Sequence, residues 1–257
     1  MIMLMAVDIG NTNITLGVFE GEELRATWRM ATAVNQMADE YAVLLINMMH
    51  HQDLKASDIK EIALCSVVPP LTTTFVELSH RYFNTTPLVI GAGVKTGVSI
   101  RMDNPREVGA DRIADAAAAH HLYRGPIIVI DVGTATTFGI VSKEGDYIGG
   151  IIATGIATAA EALFSRTAQL PRVELVHPRK VIGSNTVTAI QSGIVWGYTA
   201  LIEGMVARIQ KELGEKATVV ATGGYAELIA RETTVIDEVN PDLTLIGLRL
   251  IYGMNRV

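Results

Sequence analysis

Residues 7–19 read VDIGNTNITLGVF, and residues 130–141 read IDVGTATTFGIV. Each phrase ends an apolar run on an aspartate, Asp8 or Asp131. A glycine stands two positions on, at Gly10 or Gly133, and threonines lead into a second apolar run of similar length. Nearly half of the 257 residues separate the two copies, so each copy opens one half of the chain. This spacing predicts a duplicated α/β fold, with domains over residues 1–123 and 124–257 and a cleft between them.

The bulk composition narrows the partners. A net charge of −6, with no run of lysine or arginine, argues against nucleic acid or an anionic membrane surface as the main partner. Cys65 is the only cysteine, so no disulfide forms within the chain, and a reducing, cytoplasmic compartment is expected. The opening MIMLMAV lacks a basic lead-in and a small-residue cleavage site, so it is expected to be a buried strand rather than a signal peptide. The longest apolar stretches contain Asp131 and Glu161 with many glycines and threonines, which predicts no membrane span. The sequons at Asn13 and Asn84 are then chance matches.

Outward from the first phrase, LMAVDIG, ITLGVF and ELRATWRM form a predicted meander of strands. Helical spacing follows from Ala38 to His50, then a strand in EIALCSVVP and a helix in PLTTTFVELSHRYF opened by Pro70. TPLVIG and VSIRM are read as strands, and a helix is expected from Glu107 to Tyr123. The second phrase restarts the meander in PIIVIDVG, TTFGIVSK and DYIGGII. A long helix is predicted from Thr186 to Leu213, then the strand ATVVATGG, a helix, and a last helix through LIGLRLIYG. Strands with intervening helices in each half give α/β domains, their hairpin strands antiparallel and the later ones parallel.

The chemistry of the repeated phrase suits a nucleoside triphosphate. Phosphates need backbone amides and hydroxyls at close range, and carboxylates to hold a magnesium ion or its waters. Asp8 ends a strand, Gly10 permits a tight turn, and Asn11, Thr12 and Asn13 supply donors. Asp131, Gly133, Thr134, Thr136 and Thr137 offer the same set. Neither GxxxxGK[ST] nor GxGxxG is present, so the usual loop-and-helix phosphate cradles are absent. The glycine pair of ATGGYAELI suits either the adenosine side of a nucleotide or a plain strand-to-helix turn.

These three elements in this order resemble the superfamily of actin, heat-shock ATPases and sugar and acetate kinases, which implies a duplicated ribonuclease-H-like fold. Within it, AVDIGNTN, SVVP, DNPREVGADR, DVGTATT, NTVTAIQSG and ATGG are similar to the signatures of type III pantothenate kinases along the length of the chain. That resemblance implies phosphorylation of pantothenate by ATP with Mg2+, the first step toward coenzyme A. It places the catalytic base on Asp111, with Gly109, Ala110, Arg112 and Thr186 as further pantothenate contacts. It places ATP on Asp8, Ile9, Gly10, Asn11, Thr12, Asn13, Ile14, Thr15 and Thr134. A monovalent cation, K+ or NH4+, falls on Asp131, and a homodimer is implied. Where the family often carries a tyrosine before DNP, this chain has Met102, which predicts altered acceptor affinity.

From the residues alone, other readings stay open. Asp111 also suits a helix N-terminus, Arg112 and Asp115 a surface pair, and Thr186 a helix start after Asn185. The long helix bearing Ile194, Trp196, Leu201 and Met205 suits a dimer surface or ordinary core. The adjacent pairs His50–His51 and His120–His121 point in different directions on a helix and do not suggest a metal site. The rival functions are a kinase for another small alcohol or carboxylate, and a nucleotide-binding switch without an acceptor.

Overall fold

The computed structural model describes residues 3–256. The first two residues of MIMLMAV, read above as part of a buried strand, lie outside the described residues. The chain divides into two compact units. The first holds the chain up to Ser99, Asp103–Ala118 and the chain from Leu243 onward; the second holds Ile100–Met102 and Ala119–Asp242.

In the first unit, β1 (Met3–Ile9), β2 (Asn13–Glu20) and β3 (Glu23–Ala31) form the predicted antiparallel meander. β4 (Ile59–Ser66) and the two-residue β5 (Leu88–Val89) extend it in parallel, giving the order β3-β2-β1-β4-β5. Alternation along a strand sends neighbouring side chains to opposite faces of the sheet. Met5, Val7 and Ile9 of β1 and Ile14, Leu16 and Val18 of β2 pack with α1 (Ala38–His50) and α2 (Pro69–Phe83). Leu4, Ala6, Phe19, Ala63 and Cys65 turn the other way, toward α3 (Ala110–Leu122) and α7 (Leu243–Asn255). Asp8 and Thr15 fall in this second register.

The second unit repeats the plan. β6 (Ile127–Val132), β7 (Ala135–Val141) and β8 (Tyr147–Thr154) are antiparallel, and β9 (Thr218–Thr222) and β10 (Glu238–Val239) join in parallel. Read from the meander edge, the order is β8-β7-β6-β9-β10, the same connectivity as in the first sheet. One face packs on α4 (Ile156–Arg166), α5 (Thr186–Leu213) and α6 (Ala226–Ala230) through Ile130, Phe138, Ile194, Ile202 and Ile229. Asn185 caps α5, its side chain accepting the Thr188 N–H at 2.9 Å, and Gly214 ends the helix in the left-handed conformation.

Two local readings change, and one choice left open is decided. VSIRM forms only an isolated bridge, Ile100 to Tyr147, and no full strand. The segment IATAAEALFSR, to which the sequence reading assigned no element, is the helix α4. The Ile194, Leu201 and Met205 face of α5 belongs to the core of the second unit. No described helix is long and apolar enough to cross a membrane.

Candidate active site

The loop joining β1 to β2 is a tight turn in which the Gly10 N–H donates to the Asn13 carbonyl at 3.0 Å. A Cβ at Gly10 would approach that same oxygen at 3.0 Å, so the turn favours glycine. Thr32, beyond β3, braces the loop from outside: its hydroxyl donates to the Gly10 carbonyl at 2.7 Å and its N–H to the Thr12 carbonyl at 2.9 Å. Asn11, Thr12 and Asn13 are left exposed, while Ile9 and Ile14 are buried in the core. Those two isoleucines therefore have only main-chain groups to offer a ligand. Across the sheet, the Val67 N–H donates to the Ile9 carbonyl at 3.0 Å, which sets SVVP beside DIGNTN.

Strand register lines up Thr15, Asp8 and Cys65 across the middle of the first sheet. The Cys65 thiol donates to Asp8 Oδ1 at 3.1 Å. Burial pushes the Cys65 pKa well up, and the carboxylates of Asp8, Asp111 and Asp115 push in the same direction. α3, whose first turn carries Asp111, packs on the sheet face that carries Asp8. Asp111 lies in the first turn of α3, and its Oδ1 accepts the Arg112 N–H at 2.8 Å. A Cβ on Gly109 would collide with that carboxylate oxygen in its present orientation. Arg112 donates to the Glu107 carbonyl at 3.2 Å. Asp115 is no surface partner for Arg112: it is 5% exposed and accepts the Thr244 hydroxyl at 2.7 Å.

The corresponding row in the second sheet is Thr137, Asp131 and Thr222. Gly223, at φ +93°, brings the ATGG turn so near that a Cβ would lie 2.8 Å from the Val132 backbone and nearer still to Asp131 Oδ1. The Gly133–Thr134 turn is buttressed by Gly155 and by the Thr158 hydroxyl, which donates to the Thr134 carbonyl at 3.0 Å. Met102 follows Arg101, whose N–H donates to the Tyr147 carbonyl at 2.8 Å and whose Nε donates to Asp146 at 2.9 Å.

Thr186, the first residue of α5, is exposed on the wall of a cavity of about 750 Å³ lined also by Leu163, Leu170, Asn185 and Ile190. The NTVTAIQSG signature has a physical basis there. Gln191 donates to the Glu174 carbonyl at 2.8 Å, and Ser192 bonds the Val181 carbonyl, so the start of α5 holds the long loop before it.

The structure brings Asp8, Thr15 and Asp111 to one face of the first unit, whereas Met102, Asp131, Thr134 and Thr186 belong to the second. Thr32, Cys65, Asp115, Gly155, Thr158 and Thr244 were not foreseen. Each acts through a partner distant in sequence, and short-range pattern carries no signal of that kind.

Among the described residues no group of three or more His, Cys, Asp or Glu side chains is arranged to hold a metal ion. Single carboxylates beside hydroxyls and close backbone fit a hard cation that shares its oxygen ligands with a nucleotide's phosphates.

Two five-stranded mixed sheets of one connectivity, each opening on a carboxylate-bearing hairpin, define the two-domain α/β class of actin-like ATPases and sugar kinases. A family model described as type III pantothenate kinase matches residues 4–208. A type III pantothenate kinase of Dehalococcoides mccartyi strain CBDB1 is 59% identical, covering 99% of this chain and 97% of its own. That of Moorella thermoacetica is 53% identical, covering 98% and 100%. The chain belongs to the type III pantothenate kinase family. Solved structures share the fold at low identity. A Campylobacter jejuni protein described as a conserved putative Baf family transcriptional activator has a TM-score of 0.61 at 20% identity, each chain 98% covered. A putative 2-dehydro-3-deoxygalactonokinase of Sinorhizobium meliloti has a TM-score of 0.61 at 14% identity, with 98% and 96% covered.

Proposed function

We infer that this protein transfers the γ-phosphoryl group of ATP to the terminal hydroxyl of pantothenate, giving 4′-phosphopantothenate, the first step of coenzyme A synthesis. The observation that carries the reading is whole-length identity of more than half to pantothenate kinases, together with Asp111 held at the start of α3 on the face that bears Asp8.

Phosphoryl transfer is mostly positioning and charge stabilisation, with a carboxylate to receive the acceptor's proton. Asp111 is the proposed base. Its Oδ1 is engaged by the Arg112 N–H, so Oδ2 is the oxygen assigned to the hydroxyl proton. The deprotonating hydroxyl attacks the γ-phosphorus, the bond from that phosphorus to the β,γ-bridging oxygen breaks, and ADP departs. Gly109, Ala110, Arg112, Met102 and Thr186 contact pantothenate, with the Arg112 guanidinium suited to its anionic or polar groups. Asp8 through Thr15 and Thr134 bind ATP through main-chain amides, hydroxyls and amide side chains. Magnesium, when bound, offsets the negative charge of the phosphate oxygens. Asp131 is proposed to ligate potassium or ammonium.

A homodimer is proposed as well. It is supported by the exposed Val181, Ile182, Val187 and Phe164, Ile182 being 87% exposed. A cytoplasmic location fits the supply of ATP and the free, buried Cys65.

The test is product formation from ATP and pantothenate, with and without potassium, with acetate and glucose as control acceptors. Asp111→Asn should abolish transfer and leave ATP binding near normal. Near-normal turnover in that variant would remove Asp111 from the role of base, and transfer to glucose or acetate but not pantothenate would overturn the substrate.

A further inference from the structure

The residues that pack against α3, the helix that begins with Asp111, come in part from the far end of the chain. α7 crosses the face of the first sheet that carries Asp8 and Cys65, and it packs on α3 through Leu245, Leu248, Ala114 and Ala117. The approach is close. A Cβ on Gly247 would stand 2.5 Å from the Ala114 carbonyl carbon and 2.9 Å from its Cα, so the two helix backbones meet with nothing between them. Beside that contact, the Thr244 hydroxyl donates to Asp115 Oδ1 at 2.7 Å.

Asp115 lies one helical turn beyond Asp111, on the same side of α3. It is 5% exposed, and a carboxylate at that depth needs hydrogen-bond donors to remain there. Burying it is costly, and a leucine or alanine would complete the packing against Leu245 and Leu248 without that cost. The hydrogen bond fixes something that apolar packing leaves loose, the rotation of α3 about its own axis. Small side chains on α3, Ala114, Ala116, Ala117, Ala118 and Ala119, give few interlocking knobs to set that rotation. A directional bond from Thr244, with the Gly247 contact as fulcrum, supplies it.

We propose that Thr244 and Asp115 are positioning residues for the phosphoryl transfer, fixing the roll of α3 and through it the direction of the Asp111 carboxylate. The proposal rests on Asp111 as the base. Neither residue touches either substrate in this scheme, so their loss should appear in kcat and leave nucleotide affinity alone.

Thr244→Val removes the hydroxyl at constant shape. It should lower kcat roughly tenfold, short of the hundredfold that a 1 Å misplacement can cost, with KM for ATP within about twofold. Thr244→Ser restores the donor and should return kcat to within about twofold of the native enzyme. Asp115→Asn keeps an acceptor oxygen and should outperform Asp115→Ala. Adding Thr244→Val to Asp115→Ala should cost nothing more, since both break one interaction. Should Thr244→Val fail to fold, Thr244→Ala removes the same hydroxyl without bulk.

A lowered melting temperature with unchanged kcat would show a structural bond alone and overturn the proposal. So would a Thr244→Ser variant as slow as Thr244→Val. Asp111→Asn is measured alongside: inactive there with Thr244→Val fully active sinks only the positioning role, whereas an active Asp111→Asn sinks the base and its positioning together.

Discussion

Gly155 offers a clean test of how closely the second hairpin is packed. It stands just before α4 at φ −72° and ψ 151°, angles that alanine adopts freely, so Gly155→Ala perturbs contacts and not backbone preference. The added methyl would sit 2.5 Å from the Thr134 carbonyl carbon and nearer still to the carbonyl oxygens of Gly133 and Thr134. That is about 1 Å inside ordinary carbon–carbon contact. These are main-chain atoms, so no side-chain rotation relieves the clash. Overpacking of this kind costs about 1–3 kcal/mol. Against it stands about 0.4–1 kcal/mol gained by restricting the unfolded chain. The net loss is about 1–2 kcal/mol, or roughly 2–8 °C in melting temperature for a protein of this size. Differential scanning calorimetry with and without ATP measures both consequences. The melting point should fall, and the increment conferred by ATP should shrink, because the turn that gives way carries the proposed Thr134 contact. A variant that melts at or above the native temperature with its ATP increment intact would refute the packing argument.

Gly204→Ala is the counterpart: Gly204 is exposed within α5 with nothing near its missing Cβ, so melting should rise by the equivalent of about 0.5–1 kcal/mol, and a fall would contradict the open space. Cys65 should resist iodoacetamide in the native protein at pH values where a free thiol reacts, because burial and then Asp8 hold it protonated; rapid labelling without unfolding would contradict this. The same raised pKa means its contribution to stability is complete below the unfolded thiol's pKa and declines as pH climbs past it, a decline that Cys65→Ser should flatten. Asp131→Asn should weaken the stimulation of turnover by potassium, read from a KCl titration, and an unchanged titration would place the cation elsewhere. Met102→Tyr should lower KM for pantothenate, since a phenol adds ring contact and a hydrogen bond; an unchanged KM would remove position 102 from the acceptor pocket.

The duplication was legible because strand period and turn chemistry are local: Asp8 with Gly10 and Asp131 with Gly133 announce two hairpins wherever they stand. The ends of α5 were equally plain, with Asn185 to start it and Gly214 to stop it. Asp115 was misjudged because a helix surface rule three residues wide cannot see Thr244, 129 residues away. VSIRM was misjudged because alternating apolar residues promise a strand only if a neighbouring strand offers its ladder, and here only Tyr147 does. Gly155 gave no signal of its own, since its need for glycine comes from the carbonyls of Gly133 and Thr134. The family's motifs could be read from sequence, but the long-range partners packed against them, such as Thr244 and Gly155, could not.

The return of α7 to the first unit has a consequence for synthesis. The second unit is continuous from Ala119 to Asp242 apart from the earlier Ile100–Met102, so a ribosome delivers it whole. The first unit, although begun earlier, must wait for Leu245, Leu248 and Ile251 before one face of its sheet is covered. During translation the apolar Leu4, Ala6, Ala63 and Ile90 surface therefore lacks its α7 cover until the last helix emerges. The earlier-made half is the later to mature, and premature termination anywhere before α7 leaves the half bearing Asp8 and Asp111 for the cell's chaperones and proteases.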